Sequence, residues 1–171
     1  MKKKEYRIAL KNVGKIDPAS LEEYEAAGGI TAMRRSLQTP PAKIIAEMTR
    51  ANLRGRGGAG FSAGLKERYT SESPGSRPEG RYIVCNADEG EPGTFKDRVI
   101  MENDPHLLIE GVIIAAYAIG AHRGFIYIRG EYYPSIARVN KAIQSYYDKG
   151  YLGENILGTG FDFTIEIWNL F

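Results

Sequence analysis

Residues 82–128 constrain the fold more than any other part of the chain. Tyr82-Ile-Val-Cys85 and Phe125-Ile-Tyr-Ile128 are short apolar runs bounded by turn formers, as buried strands are. Between them, His106 to Ala121 is almost continuously apolar, with a start signal at Asp104-Pro105 and a stop at Gly120. A helix this apolar has to pack on more than one side. Pro134 to Tyr147 then predicts an amphipathic helix with Ile136, Val139, Ile143 and Tyr147 on one face and Gly150 as its cap. Phe161-Asp-Phe-Thr-Ile-Glu-Ile167 alternates like a strand. From residue 81 the order is strand, loop, helix, strand, helix, loop, strand. That order predicts an α/β fold with right-handed crossovers and an at least partly parallel sheet.

The first 52 residues read as a strand and helical lead-in, and residues 53–171 as the α/β domain. Residues 6–10 can form a short strand. Asp17-Pro18 suggests an N-cap with proline at the first helical position. Ile30, Met33 and Leu37 have helical spacing, and Ile44, Ile45 and Met48 mark a third helix from Pro41. Leu65 to Tyr69 predicts a turn or two of helix, followed by a breaker-rich loop from Thr70 to Gly80.

Composition excludes several classes. A length of 171 residues with 43% hydrophobic and 26% charged side chains supports one real core. The net charge of +2 gives no ground for nucleic-acid binding, and no basic stripe interleaves with the tyrosines around the last helix. Cys85 is the single cysteine, so the chain alone forms neither a disulfide nor a Cys₄ cluster, and a reducing compartment is expected. No apolar run reaches the ~18 residues of a membrane span. The basic start lacks the apolar block of a signal peptide. The expectation is a cytoplasmic protein, or one peripheral on a larger assembly at the inner membrane face.

Two loops carry candidate chemistry. Five of the fourteen residues from Leu53 to Lys66 are glycine, interspersed with Arg54, Arg56 and Lys66. Glycine lets a ligand approach the main chain, and consecutive N–H groups form a cavity that suits an anion. Gly55, Gly57 and Gly60 satisfy G-x-G-x-x-G, but a predicted helix precedes them where a Rossmann fingerprint needs a strand. Walker A also fails, because no Ser or Thr follows Lys66. The bland alternative is a flexible linker. Interspersed arginines and Phe61 weigh against it and favour a phosphate cradle.

The second loop places Asn86, Asp88, Glu89 and Glu91 at the carboxyl end of a predicted strand, where α/β folds bind ligands. These carboxylates can take a divalent metal, accept from sugar hydroxyls or ring N–H groups, or form a solvated turn pairing with Lys96 and Arg98. Gly90 and Pro92-Gly93 fix the loop's shape, which weakens the last reading. Glu131 is a weaker candidate at the next strand end. His106 reads as a buried or capping residue, His122 as surface, and Cys85 as a small core residue with no base beside it.

Leu53–Lys66 and Asn86–Arg98 closely resemble the NADH-oxidising flavoprotein (51 kDa) subunit of respiratory complex I, a module shared with NAD-linked hydrogenases and formate dehydrogenases. Leu10–Pro18, Asp104-Pro-His106, Glu110-Gly111, Tyr127–Tyr132 and Gly150–Phe163 extend the resemblance over nearly the whole chain, as the family's amino-terminal half. It implies an incomplete Rossmann-like domain that binds FMN and NADH and transfers hydride between them. It also implies that Gly55, Gly57, Gly58, Gly60 and Lys66 hold phosphate and nucleotide backbone, with Arg56 a weaker candidate. By the same resemblance Phe61 is expected to stack on the dinucleotide, Asn86 and Asp88 to face the flavin, and Glu89 and Glu91 to stand near flavin and nicotinamide. The implied partners are other subunits of an NADH oxidoreductase, among them a thioredoxin-like iron–sulfur subunit, and the family's [4Fe–4S] motif is expected outside this sequence.

Departures accompany the resemblance. Ser62-Ala63 stands where the family has Pro-Thr, and Glu67 where it has tryptophan. The competing function is a non-catalytic, truncated nucleotide-binding or structural subunit completed by a partner chain. A metal-dependent hydrolase using Asp88, Glu89 and Glu91 is a distant third, because no histidine or other base accompanies them.

Overall fold

The computed structural model describes residues 6–56, 58–74 and 80–170. Its helices are α1 (Leu21–Ala26), α2 (Thr31–Leu37), α3 (Pro41–Arg50), α4 (Ala63–Glu72), α5 (Lys96–Asn103), α6 (Pro105–Ile119) and α7 (Tyr133–Asp148). Its strands are β1 (Arg81–Ala87), β2 (Ala121–Arg129) and β3 (Thr164–Leu170). They form one sheet in the order β1-β2-β3, and both pairings are parallel. A parallel pair needs a crossover. The crossover from β1 to β2 is α5 with α6, and that from β2 to β3 is α7.

The apolar run from Leu107 to Ile119 forms α6 because both ends are specified locally. Asp104 accepts the Leu107 N–H at 3.4 Å, Pro105 opens the first turn, and Gly120 stops the helix at φ +71°. Ile109, Ile113 and Ala116 are fully buried, and α6 touches α2, α3, α4, α5, α7, β1 and β2. This is the multi-sided packing its composition demands. Ile126, Ile128, Phe163 and Ile165 bury the helix-bearing face of the sheet. The opposite face is uncovered among the described residues: Val84 is 67% and Trp168 57% exposed. Phe125 bridges Tyr82 and Trp168 there, with ring centroids at 6.0 and 5.1 Å.

The lead-in shares the core, through Leu21, Tyr24, Ile30 and Met33. One carboxylate holds it there. Glu110 on α6 accepts the N–H groups of Ile30 (3.1 Å) and Met33 (2.9 Å) and the Tyr24 hydroxyl. It caps α2 from a distance, which α2 needs because its own N-cap, Ile30, has no capping side chain and lies in the left-handed region at φ 65°.

Four expectations are corrected. Residues 6–10 are irregular and turn at Ala9 and Leu10 rather than forming a strand: they have no neighbour in the sheet, and Lys11 N–H bonds to Ile8 C=O instead. The first helix begins at Leu21, not at Pro18. Ser20 caps it, accepting the Glu23 N–H at 3.1 Å, while Asp17 accepts the Ala19 N–H in a tight turn. The helix after the glycine loop is longer than expected, running to Glu72, and residues 75–79 of the breaker-rich loop lie outside the described residues. A helix, α5, begins at Lys96, inside the stretch read as loop.

Candidate functional site

Because the sheet is parallel, the carboxyl ends of β1 and β2 lie side by side, and each runs into a loop before its helix. The loop after β1 carries Asp88, Glu89 and Glu91, and the loop after β2 carries Glu131 and Tyr132. A cleft of about 680 Å³ lies at this edge, lined by Arg56, Asn86, Asp88, Glu89, Gly90, Glu91, Thr94, Lys96 and Asp97. The structure thus brings a residue of the glycine loop against the acidic loop.

The glycine loop is a closed excursion. Gly55 N–H bonds to Phe61 C=O at 2.9 Å, Arg54 and Ser62 form an antiparallel bridge, and Ala63 N–H bonds to Leu53 C=O at 2.8 Å. Between these ties the chain turns on Gly58 (φ +109°) and Gly60 (φ +61°), conformations other residues resist. The loop ends on Ser62, whose hydroxyl accepts the Leu65 N–H at 3.3 Å and opens α4. A loop opening onto a helix N-terminus presents N–H groups to an anion, although a helix and not a strand precedes it. Lys66 lies in the first turn of α4 and is exposed, and Phe61 is half-exposed. Gly57 lies outside the described residues. Gly55, Gly58, Gly60, Phe61 and Lys66 sit beside the cleft in sequence but do not line it.

The acidic side chains divide into two kinds. Asp88 and Glu91 are exposed, and Asp88 lies 3.7 Å from the Arg129 Nε. Glu89 is buried: its carboxylate accepts the backbone N–H groups of Asp97 (2.8 Å) and Arg98 (3.2 Å), the free donors at the start of α5. Burial pulls its pKa upward, but those two N–H groups and the charges of Lys96 and Arg98 prevail and hold the carboxyl below its usual range. Asn86 accepts the Asp88 N–H at 3.0 Å, which leaves its NH₂ group for other partners. Among the described residues no group of three or more His, Cys, Asp or Glu is placed to hold a metal ion.

Sequence reasoning names Lys96 and Arg98 only as charge partners of the acidic loop, and it misses Tyr132 as part of the site. Lys96 lines the cleft. Tyr132 donates its hydroxyl to the Glu89 carbonyl at 2.5 Å. The Arg98 guanidinium lies 4.8 Å above the Tyr132 ring and 3.5 Å from the Glu89 carboxylate. The sequence allows a pairing of Lys96 and Arg98 with the acidic loop, but nothing local points to Tyr132. Among the discounted residues, His106 is fully buried and His122 exposed, and burial pushes the Cys85 thiol up to about 11, far from a nucleophile's range.

Residues 48–170 match the family described as the Nuo51 FMN-binding domain. The chain is 50% identical over 161 residues to an NADH-quinone oxidoreductase subunit of Rhizobium meliloti, covering 94% of this chain and 38% of that protein. It is 50% identical over 160 residues to the corresponding NADH-quinone oxidoreductase subunit of Aquifex aeolicus, covering 94% and 37%. It is 47% identical over 165 residues to a subunit of the NADP-reducing hydrogenase of Solidesulfovibrio fructosivorans, covering 96% and 33%. The chain therefore spans little more than a third of the length of these relatives. A crystal structure of an NAD⁺-reducing [NiFe]-hydrogenase in the H₂-reduced state superposes with a TM-score of 0.70 at 33% identity, covering 96% of this chain and 25% of that one. With the family match extending over most of its residues, the chain belongs to the Nuo51 FMN-binding domain family.

Proposed function

We propose that this chain is the FMN- and NADH-binding part of an NADH-oxidising flavoprotein. The cleft carries the reading: a cationic residue of the glycine loop and the acidic loop meet at the carboxyl edge of a parallel sheet. A nucleotide needs both, N–H-rich and positive surface for phosphate and acceptors for sugar and ring.

The residues present fit FMN. Gly58 and Gly60 leave open space where side chains would stand, and Ser62 opens the N-terminus of α4 beside them. A volume of about 680 Å³ is of cofactor size. In this reading Gly55, Gly57, Gly58, Gly60 and Lys66 hold phosphate, aided by Arg56, and Phe61 stacks on a ring. Asn86 and Asp88 contact the ribityl chain or ring, and Glu91 stands beside the nicotinamide. When bound, the flavin supplies the hydride acceptance and single-electron release that no side chain offers. Hydride transfer requires no general base, so the chain contributes position and orientation.

The domain is in this view Rossmann-like, with residues 53–171 carrying the nucleotide chemistry and the lead-in bracing α6. Iron–sulfur acceptors lie on other parts or chains of a multi-subunit oxidoreductase, including a thioredoxin-like iron–sulfur subunit. The assembly works in the cytoplasm or at a membrane's cytoplasmic face. The likeness to hydrogenase and quinone-linked relatives supports the class, and no described helix is long and apolar enough to cross a membrane.

Titration of FMN into the purified chain tests this through quenching of flavin fluorescence. Saturable quenching is expected, with Lys66→Gln weakening it about tenfold, as loss of one charge-assisted contact should. Absence of quenching would overturn the reading. Binding of adenine nucleotides without FMN would favour the non-catalytic alternative.

A further inference from the structure

We infer that Glu89, Arg98 and Tyr132 act as a positioning strut that fixes the acidic loop across two neighbouring strand ends, and that Glu89 is not itself a cofactor ligand. This rests on the FMN reading and deepens it.

Glu89 is fully occupied within the protein. Its side chain is 1% exposed and its carboxylate lies against the amino end of α5, taking the N–H groups of Asp97 and Arg98. The N-cap of α5 is Phe95, which has no side chain able to accept. Glu89 caps the helix in its place, from upstream in the chain. Turning it toward a ligand would strand two donors and a carboxylate, each costly to leave unpaired. Its carbonyl is held separately by the Tyr132 hydroxyl, from the loop after β2.

Arg98 closes the arrangement. Its guanidinium stacks on Tyr132, faces the Glu89 carboxylate and donates to Thr94 C=O at 3.0 Å. One residue of α5 thus touches both ends of the loop and the adjacent strand's loop. Asp88 and Glu91 are left exposed on either side of Glu89. The strut holds backbone, so the two exposed carboxylates keep a set separation while remaining available to a ligand. Loss of a positioning contact near a reacting site costs affinity and rate out of proportion to its distance.

The test uses the full chain with FMN as the probe and hydrogen exchange as a cofactor-independent readout. Tyr132→Phe removes one oxygen and keeps the ring under Arg98. It should weaken FMN binding about tenfold and accelerate amide exchange at residues 88–95, with exchange in α6 and the melting temperature nearly unchanged. Glu89→Gln should do the same more strongly, and Glu89→Asp should restore part of the loss. Tyr133→Phe, at an exposed neighbour, should change nothing. Unaltered exchange and FMN affinity in both Tyr132→Phe and Glu89→Gln would overturn the strut. A Glu89→Gln protein that loses FMN while residues 88–95 keep their exchange rates would instead make Glu89 a direct ligand. If the unaltered chain does not bind FMN, the functional reading fails first and the strut's proposed purpose falls with it.

Discussion

Glu110→Gln should destabilise this protein more than its small change in size suggests. The carboxylate accepts three donors: the Ile30 N–H, the Met33 N–H and the Tyr24 hydroxyl. All lie in the core, and Glu110 is 5% exposed. A glutamine offers one acceptor oxygen and one NH₂ group. The oxygen can keep Met33. The NH₂ can face Tyr24, whose hydroxyl can turn to accept. Ile30 N–H then has no acceptor, and it belongs to a β-branched residue already in the left-handed region. An orphaned buried donor costs about 1–3 kcal/mol, and the lost charge assistance brings the total to about 2–4 kcal/mol. For a domain of this size that lowers the melting temperature by roughly 4–16 °C. Thermal unfolding followed by circular dichroism measures it, and amide exchange should localise the loosening to α2. A fall of less than about 2 °C, or exchange unchanged in α2, would refute the claim that Glu110 fastens the lead-in.

Two further predictions concern acid and base stability. His106 is stacked between Tyr24 and Tyr146, and burial lowers its pKa to about 4. The unfolded chain, near 6.5, binds the proton first. The His106 contribution is therefore full above pH 6.5 and falls toward pH 4, by about 3 kcal/mol in all. His106→Phe should flatten urea-derived stability across that window, and an unchanged slope would contradict this origin. Glu67 has the opposite sign. Burial pushes its carboxyl up to about 7, so its contribution is intact below the unfolded value near 4.3 and lost as pH rises through 7. Glu67→Gln should stabilise the protein by about 1–3 kcal/mol at pH 8 and hardly at pH 4; equal effects at both would count against it. One oxygen of Glu67 is buried without a hydrogen-bond partner.

The parts of the fold that are legible in the sequence have local causes. The helix α6 announces itself through Asp104, Pro105 and Gly120, and the strands through short apolar runs whose parallel order follows from the intervening helices. What escapes depends on distant residues. A helix at Lys96 has no capping residue beside it, because Glu89 caps it from upstream. A strand at residues 6–10 requires a neighbour that the sheet does not supply. The candidate site is legible as two loops, one glycine-rich and basic and one carboxylate-rich, because glycine spacing and carboxylate density are sequence properties. That Arg56 lines the acidic cleft, and that Glu89 is spent on a helix end while Asp88 and Glu91 remain available, are consequences of adjacency in space. The contact of Tyr132 with Glu89 has the same origin, since it joins residues 43 positions apart across two strand ends.

If the cleft at the edge of β1 and β2 holds FMN in position to take hydride from NADH, the flavin itself reports the transfer. The decisive measurement is anaerobic addition of NADH to the FMN-loaded protein, purified with whatever chains accompany it. The visible flavin absorbance should bleach rapidly, and more slowly when Glu91 is replaced by glutamine. Flavin that stays bound and oxidised in the presence of excess NADH would contradict this assignment.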